Sequence, residues 1–150
     1  MEAVAKLRNL SISPRKMRLV TDLVRGQSVK KALGLLKFEA KAGAPYLHKL
    51  ILSAVANWRA HNPSDEALVE SLHIKTVFVD GGKVLKRMLP APQGRAYRIR
   101  KRSNHITLIV DVPESVREAQ DDVLKVANTI AAEQLNKTEN TTETENPKEN

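Results

Sequence analysis

The chain has 150 residues with 28% of them charged, and its 25 lysines and arginines against 17 acids give a formal net charge of +8. That length allows one domain with a buried core, and the excess of positive charge points to a polyanionic partner. The absence of cysteine excludes disulfides, thiolate catalysis and cysteine-based zinc sites. The first ten residues mix charges (Glu2, Lys6, Arg8), unlike a signal peptide, and no apolar run approaches the roughly 20 residues of a membrane span. A soluble cytoplasmic protein with no membrane partner is expected. Residues 1–112 carry 21 basic against 8 acidic side chains, whereas residues 113–150 carry 4 against 9, so a basic body bears an acidic tail. The few aromatics (Phe38, Tyr46, Trp58, Phe78, Tyr97) argue against nucleic-acid binding by rows of stacked bases and for recognition of backbone and shape.

Residues 3–12 alternate loosely, with Val4, Leu7 and Leu10 apolar, and read as a strand. Ser13-Pro14 is a helix start, a hydroxyl cap followed by proline at the first helical position. That helix runs to about residue 25, with Gly26 as its stop. Met17, Leu19, Val20, Leu23 and Val24 share one broad arc, and Arg15, Arg18 and Arg25 fall opposite. For these arginines the pattern leaves a solvated face and a binding face equally open. Ser28 opens a second helix through residue 38, with Val29, Ala32, Leu33 and Leu36 inward, although Gly34 weakens it by roughly 1 kcal/mol relative to Ala. The third helix, over residues 45–59, has the clearest i, i+3, i+4 pattern in Leu47, Leu50, Ile51, Ala54, Val55 and Trp58, and Trp58 reads as a packing residue. Asn62-Pro63-Ser64-Asp65 then forms a loop.

Residues 71–79 are rich in β-formers, and residues 106–112 put Ile106, Leu108 and Val110 on one face. These two strands pair as the base of a long hairpin. Asp80-Gly81-Gly82 suits either the tight turn of a shorter hairpin or a bulge. The bulge is preferred, because the arginine-rich segment after Gly94 then has a pairing partner. Residues 81–103 thus form an extended arm that reverses around Pro90–Gly94, where two prolines cannot donate to a ladder. Each side has about 9 residues, or roughly 30 Å. Residues 113–136 show a weaker amphipathic pattern through Val116, Ala119, Val123, Ala127, Ile130 and Ala131 and are expected to form a C-terminal helix, and residues 137–150 are expected to be a disordered acidic tail.

The arm carries Lys83, Lys86, Arg87, Arg95, Arg98, Arg100, Lys101 and Arg102, and no acid occurs between Asp80 and Asp111. Alternation puts Arg98, Arg100 and Arg102 on one face, about 6.6 Å apart, a spacing at which successive guanidiniums reach successive phosphates. An edge strand guarded against aggregation needs only one or two charges, so contact with nucleic acid is the better account. Catalysis has little support. His48, His61, His73 and His105 show no metal-ligand spacing, and Gly81-Gly82-Lys83 lacks the rest of a phosphate loop. No metal site, cofactor or enzymatic activity is expected.

In their order and spacing, Ser13-Pro14-Arg15-Lys16 with Arg18, Leu85-Lys86-Arg87, Gly94-Arg95-Ala96, Arg98-Ile99-Arg100-Lys101-Arg102 and His105-Ile106-Thr107 resemble the bacterial large-subunit ribosomal protein twenty-two family over about residues 1–112. The resemblance implies an α+β fold, with three helices on a small three-stranded antiparallel sheet and one long basic hairpin. It implies that residues 1–112 bind large-subunit ribosomal RNA near the exit of the nascent-chain tunnel, early in subunit assembly. Arg15, Lys16, Arg18 and the eight cations of the arm would be the RNA contacts. The tip (Arg87, Met88, Leu89, Pro90, Ala91, Pro92, Gln93, Gly94) would line the tunnel constriction opposite ribosomal protein four, in contact with the nascent polypeptide, where changes in the family alter macrolide response. Neighbouring large-subunit proteins, and not a second copy of the chain, would be its protein partners. Many members carry basic residues where this chain has Ala91 and Gln93, and Pro92 adds a second proline, so this tip is less charged and stiffer. The acidic segment after Pro113 lies outside the family pattern. The alternative from a different class is an architectural DNA-binding protein whose basic β-arms carry proline wedges. A phosphate-handling enzyme around Gly81–Lys83 ranks last.

Overall fold

Two periodicities, 3.6 across residues 14–61 and 2 across residues 73–111, divide the fold into a helical layer and a sheet. A computed structural model describes residues 2–63, 66–116 and 122. Its elements follow in the order β1 (Ala3–Leu10), α1 (Pro14–Val24), α2 (Val29–Phe38), α3 (Ala44–His61), β2 (His73–Pro90) and β3 (Ala96–Asp111). Short 3-10 turns lie at Glu66–Ser71 and Pro92–Gly94. The fold is α+β, as expected.

The sheet is antiparallel, in the order β1-β3-β2. The last strand therefore sits in the middle, and the sheet closes only through its pairing with a strand nearly a hundred residues earlier. Ala3, Ala5 and Leu7 face Val110, Leu108 and Ile106, and Val79, Val77 and Ile74 answer from the other side. Nearly all of these side chains are buried against the helices. α3 packs on β1, α1 on β2, and α2 on α3. Trp58, Leu47, Ile51 and Ala54 of α3 are fully enclosed, as their spacing predicts. The approach of α3 to α1 is close enough that a Cβ on Gly43 would stand 2.7 Å from Met17 Sδ.

Several expectations are corrected. Leu19 and Leu23 share the apolar arc of α1 with Met17, Val20 and Val24, yet they are 57% and 41% exposed. α1 meets the sheet along a narrower stripe of Met17, Val20, Thr21 and Val24. Thr21 can be buried there because its hydroxyl donates to Arg18 O at 2.9 Å. Ser13 and Ser28 occupy the cap positions of α1 and α2, but neither side chain makes a capping bond. The strand expected from residue 71 begins at His73, after the 3-10 turn that buries Leu68. Residues 114–116 are helical and belong to a separate unit. Apart from these and Asp122, the amphipathic segment 113–136 beyond Pro113 and the tail 137–150 lie outside the described residues, as do Ser64 and Asp65 of the loop.

β2 is an edge strand, and its outer side is covered in two stages. Gly26, at φ +70°, ends α1 and turns the linker onto the strand. Gly26 N–H then donates to Ile74 O (3.2 Å), Ile74 N–H to Gln27 O (2.9 Å) and Val29 N–H to Leu72 O (2.9 Å). Further along, an arginine of α1 and the one that follows its last turn take over. Arg25 Nη2 donates to Val77 O at 3.3 Å, and Arg18 donates to Val79 O from Nε and Nη2 at 3.3 and 3.1 Å. An uncovered edge invites pairing with other chains. Past Val79 the two strands continue beyond the packed layer as the arm.

Candidate nucleic-acid interface

The arm begins where β2 gains one residue on β3. Gly81 pairs with Asn104 and Val84 with Arg102, so a bulge falls at Gly82–Lys83. A Cβ on Gly82 would lie 2.6 Å from Ser103 Oγ and 3.1 Å from the Ser103 carbonyl carbon, which leaves room only for glycine. The Ser103 hydroxyl donates to Lys83 O at 2.7 Å and holds the bulge shut. A bulge bends the strand and increases its twist, so it sets the direction in which the arm leaves the sheet.

Beyond the bulge, pairing sorts the side chains onto two faces. Val84 opposes Arg102, Lys86 opposes Arg100, Met88 opposes Arg98, and Pro90 opposes Ala96. On the other face Leu85 opposes Lys101, Arg87 opposes Ile99, and Leu89 opposes Tyr97. Both register shifts between β2 and β3 fall on β2, and the one between β1 and β3 falls on β1. Alternation along β3 is therefore unbroken, and Arg98, Arg100 and Arg102 continue the face of Asn104 and Ile106, toward the helical layer. One face carries four cations, Lys86, Arg98, Arg100 and Arg102, whereas the other carries two, Arg87 and Lys101, beside Leu85, Leu89, Tyr97 and Ile99. From residue 83 to residue 102 every side chain except Ala91 is exposed.

The tip closes with Ala91 N–H donating to Arg95 O (2.9 Å) and Arg95 N–H to Pro92 O (3.4 Å). Gln93 and Gly94 both have positive φ, at 62° and 68°. Gly94 suits that geometry, whereas Gln93 holds a conformation unusual for a residue with a Cβ. Met88 and Leu89 stand just behind, 69% and 49% exposed.

Electrostatics works against the free arm. Lys86 and Arg100 are directly opposite, and like charges at that separation are destabilising. A two-stranded ribbon is marginal in water even without this repulsion. A chain of phosphates along the basic face would remove the repulsion and supply charge-assisted hydrogen bonds.

The expected second cluster, Arg15, Lys16 and Arg18, is exposed on α1. Arg18 spends its guanidinium fork on the Val79 carbonyl, which sequence reasoning missed. The seven-residue spacing of Arg18 and Arg25, two turns apart on the border of the buried stripe, was the available signal. Asn104 was missed as well. It is fully buried at an inward position of an apolar strand and donates Nδ2–H to Ile12 O at 2.7 Å, tying the β1–α1 loop to the base of the arm. A polar residue interrupting Ile106, Leu108 and Val110 in phase was the signal there. His105 Nδ1 accepts the Asn9 N–H at 3.0 Å, so this imidazole braces the bulge in β1. Among the described residues no group of three His, Cys, Asp or Glu side chains is placed to hold a metal ion.

Residues 5–111 match the family model described as ribosomal protein L22p/L17e. Relatives described as large ribosomal subunit protein uL22 are similar over most of their length. The one from Flavobacterium psychrophilum is 58% identical over 108 residues, covering 72% of this chain and 79% of the relative. That from Bacteroides fragilis is 59% identical over 109 residues, covering 71% and 78%. That from Chlorobium chlorochromatii is 53% identical over 111 residues, covering 74% and 93%.

Proposed function

The chain belongs to the ribosomal protein L22p/L17e family, whose members are ribosomal structural proteins and not enzymes, and from that premise we propose that it is a constituent of the large ribosomal subunit that binds large-subunit ribosomal RNA. The observation that carries the RNA contact is the arm itself, eight cations and no acid on a ribbon that stands off the packed sheet. Lys86, Arg98, Arg100 and Arg102 on the basic face, with Lys83 at the bulge, neutralise successive phosphates, and each neutralised phosphate releases counterions. Arg87, Arg95 and Lys101 add contacts from the tip and the opposite face. Arg15, Lys16 and the exposed Arg18, whose guanidinium also holds the Val79 carbonyl, extend the footprint onto the body. Folded RNA is recognised by shape and backbone.

In this reading residues 1–112 act as one RNA-binding domain in the cytoplasmic ribosome. The arm orders on binding RNA, so that arm folding and subunit assembly are one coupled event. The tip, Arg87–Gly94, lines the polypeptide exit tunnel beside ribosomal protein four, in reach of the nascent chain. The exposed apolar pair Leu89–Tyr97, the exposed Met88 and the uncharged turn support that role, since a polypeptide in transit meets a surface with little charge there. The test is sucrose-gradient fractionation of native lysate before and after a moderate salt wash. Stoichiometric co-migration with large subunits that survives the wash is expected. Migration as a small free species, or with chromosomal DNA, would overturn the proposal in favour of a DNA-binding β-arm protein.

A further inference from the structure

Where the arm leaves the body, the chain forms a notch of about 640 Å³, lined on one side by Ser11 and Ser13 and on the other by Lys83, Arg100, Arg102 and Ser103. That volume falls within the roughly 300–1,000 Å³ of small-molecule sites. Its walls are fixed by hydrogen bonds. The fully buried Asn104 amide holds Ile12, between the two serines, against the base of the arm. The Ser103 hydroxyl locks the Gly82–Lys83 bulge that presents Lys83. Among the described residues no carboxylate lines the notch. The Ser13 side chain makes no bond to its own helix, so its hydroxyl is not committed to capping.

We infer that this notch is a ribose-phosphate subsite, holding one backbone unit of RNA with its phosphate on Lys83, Arg100 and Arg102 and its 2′-hydroxyl on Ser11 and Ser13. The inference rests on the RNA-binding reading above and deepens it. Arginines and lysines along the arm bind phosphate in RNA and DNA alike. A serine hydroxyl both donates and accepts, which matches a ribose 2′-hydroxyl, the group that distinguishes RNA from DNA. The joint of arm and body is thereby the place where the strand is read as RNA, and the arm beyond it supplies charge.

The experiment is filter binding of the full chain to a transcript of large-subunit ribosomal RNA and to single-stranded DNA of the same sequence, each at several salt concentrations. The paired substitution Ser11→Ala with Ser13→Ala is expected to weaken RNA binding by about tenfold, the effect of two net hydrogen bonds. The dependence on salt and the affinity for DNA should not change, because no charge is lost. Ser11→Thr with Ser13→Thr should restore RNA affinity. Because Ser13 also stands at the start of α1, Ser11→Ala alone is measured beside the pair, with helix content followed by circular dichroism, and should retain about half of the effect on a logarithmic scale. Unchanged RNA affinity in the pair, or an equal loss on RNA and DNA, would overturn the subsite while leaving the steep salt dependence of the arm intact. A parent chain with no salt-dependent RNA binding would overturn both.

Discussion

Lys75 shows how much a single side chain can join. From β2 its ammonium bonds the Glu2 carboxylate ahead of β1 and, at 3.4 Å, Asp111 Oδ2 at the end of β3, so it spans all three strands. The Glu2 bond, followed by the Asp111 bond, holds its pKa above the ordinary 10.5. A group whose pKa is raised on folding contributes stability that is fully present below its unfolded value and is lost as pH rises through the folded value. Glu2→Gln should therefore lower the melting temperature at about pH 8, where the contribution is complete. The gap to the parent chain should close as pH rises past the raised value. Thermal melts of both chains across that range check it, and a gap that persists at high pH would assign the effect to something other than this ion pair. Nothing local in the sequence joins Glu2 to Lys75, which are 73 positions apart. The role of Arg18 was equally hidden. A basic residue in a basic motif reads as a phosphate contact, and only the packing of α1 along β2 shows its fork on a backbone carbonyl.

Among the elements, the arm depends on its bulge, and the two adjacent glycines there are not equivalent. A Cβ on Gly81 would meet nothing within 4 Å, whereas one on Gly82 would meet both the hydroxyl and the backbone of Ser103. The hydroxyl can rotate away, at the loss of its bond to Lys83 O, but the backbone carbon cannot. Gly82→Ala should destabilise the chain by about 1–3 kcal/mol, as overpacking does. Gly81→Ala should stay within about 0.5 kcal/mol. Urea denaturation separates the two, and equal costs would mean that the bulge is not the constraint. That Gly-Gly marks a bulge was legible, because a tight turn there would leave the arginine-rich segment without a partner. Which glycine is indispensable was not legible, because it depends on the side of the ladder that carries the extra residue.

At the scale of the whole molecule, the sheet and the helical layer provide a rigid base for an arm whose charges work against its own folding. Arg98→Ala with Arg100→Ala should flatten the slope of log affinity against log salt by roughly 1.4–1.8, the range for two lost phosphate contacts. The free chain should be as stable as the parent or slightly more so, because Arg100 no longer faces Lys86. RNA binding over a salt series and urea unfolding of the same protein measure the two effects. An unchanged slope would remove these residues from the interface. Loss of affinity together with loss of stability would show that they hold the arm together instead of holding RNA.

The three helices with their Pro14 start and Gly26 stop, the long hairpin and the sign of its charge were legible in the residues alone. Each of these is written in local periodicity, in residues with restricted backbone conformations, or in a run of charge without acids. The family resemblance was legible for the same reason, since its motifs lie in order along one hairpin and one helix. Packing across the chain decided that β3 lies between β1 and β2, that Leu19 and Leu23 stay exposed while Thr21 is buried, and that Arg18 and Arg25 cover the edge of β2. It also decided that Ser11 and Ser13 meet Lys83, Arg100 and Arg102 in one notch. These outcomes depend on contacts between residues about 50 to 100 positions apart, whose geometry follows from how the layers pack and not from any pattern within a window of the chain.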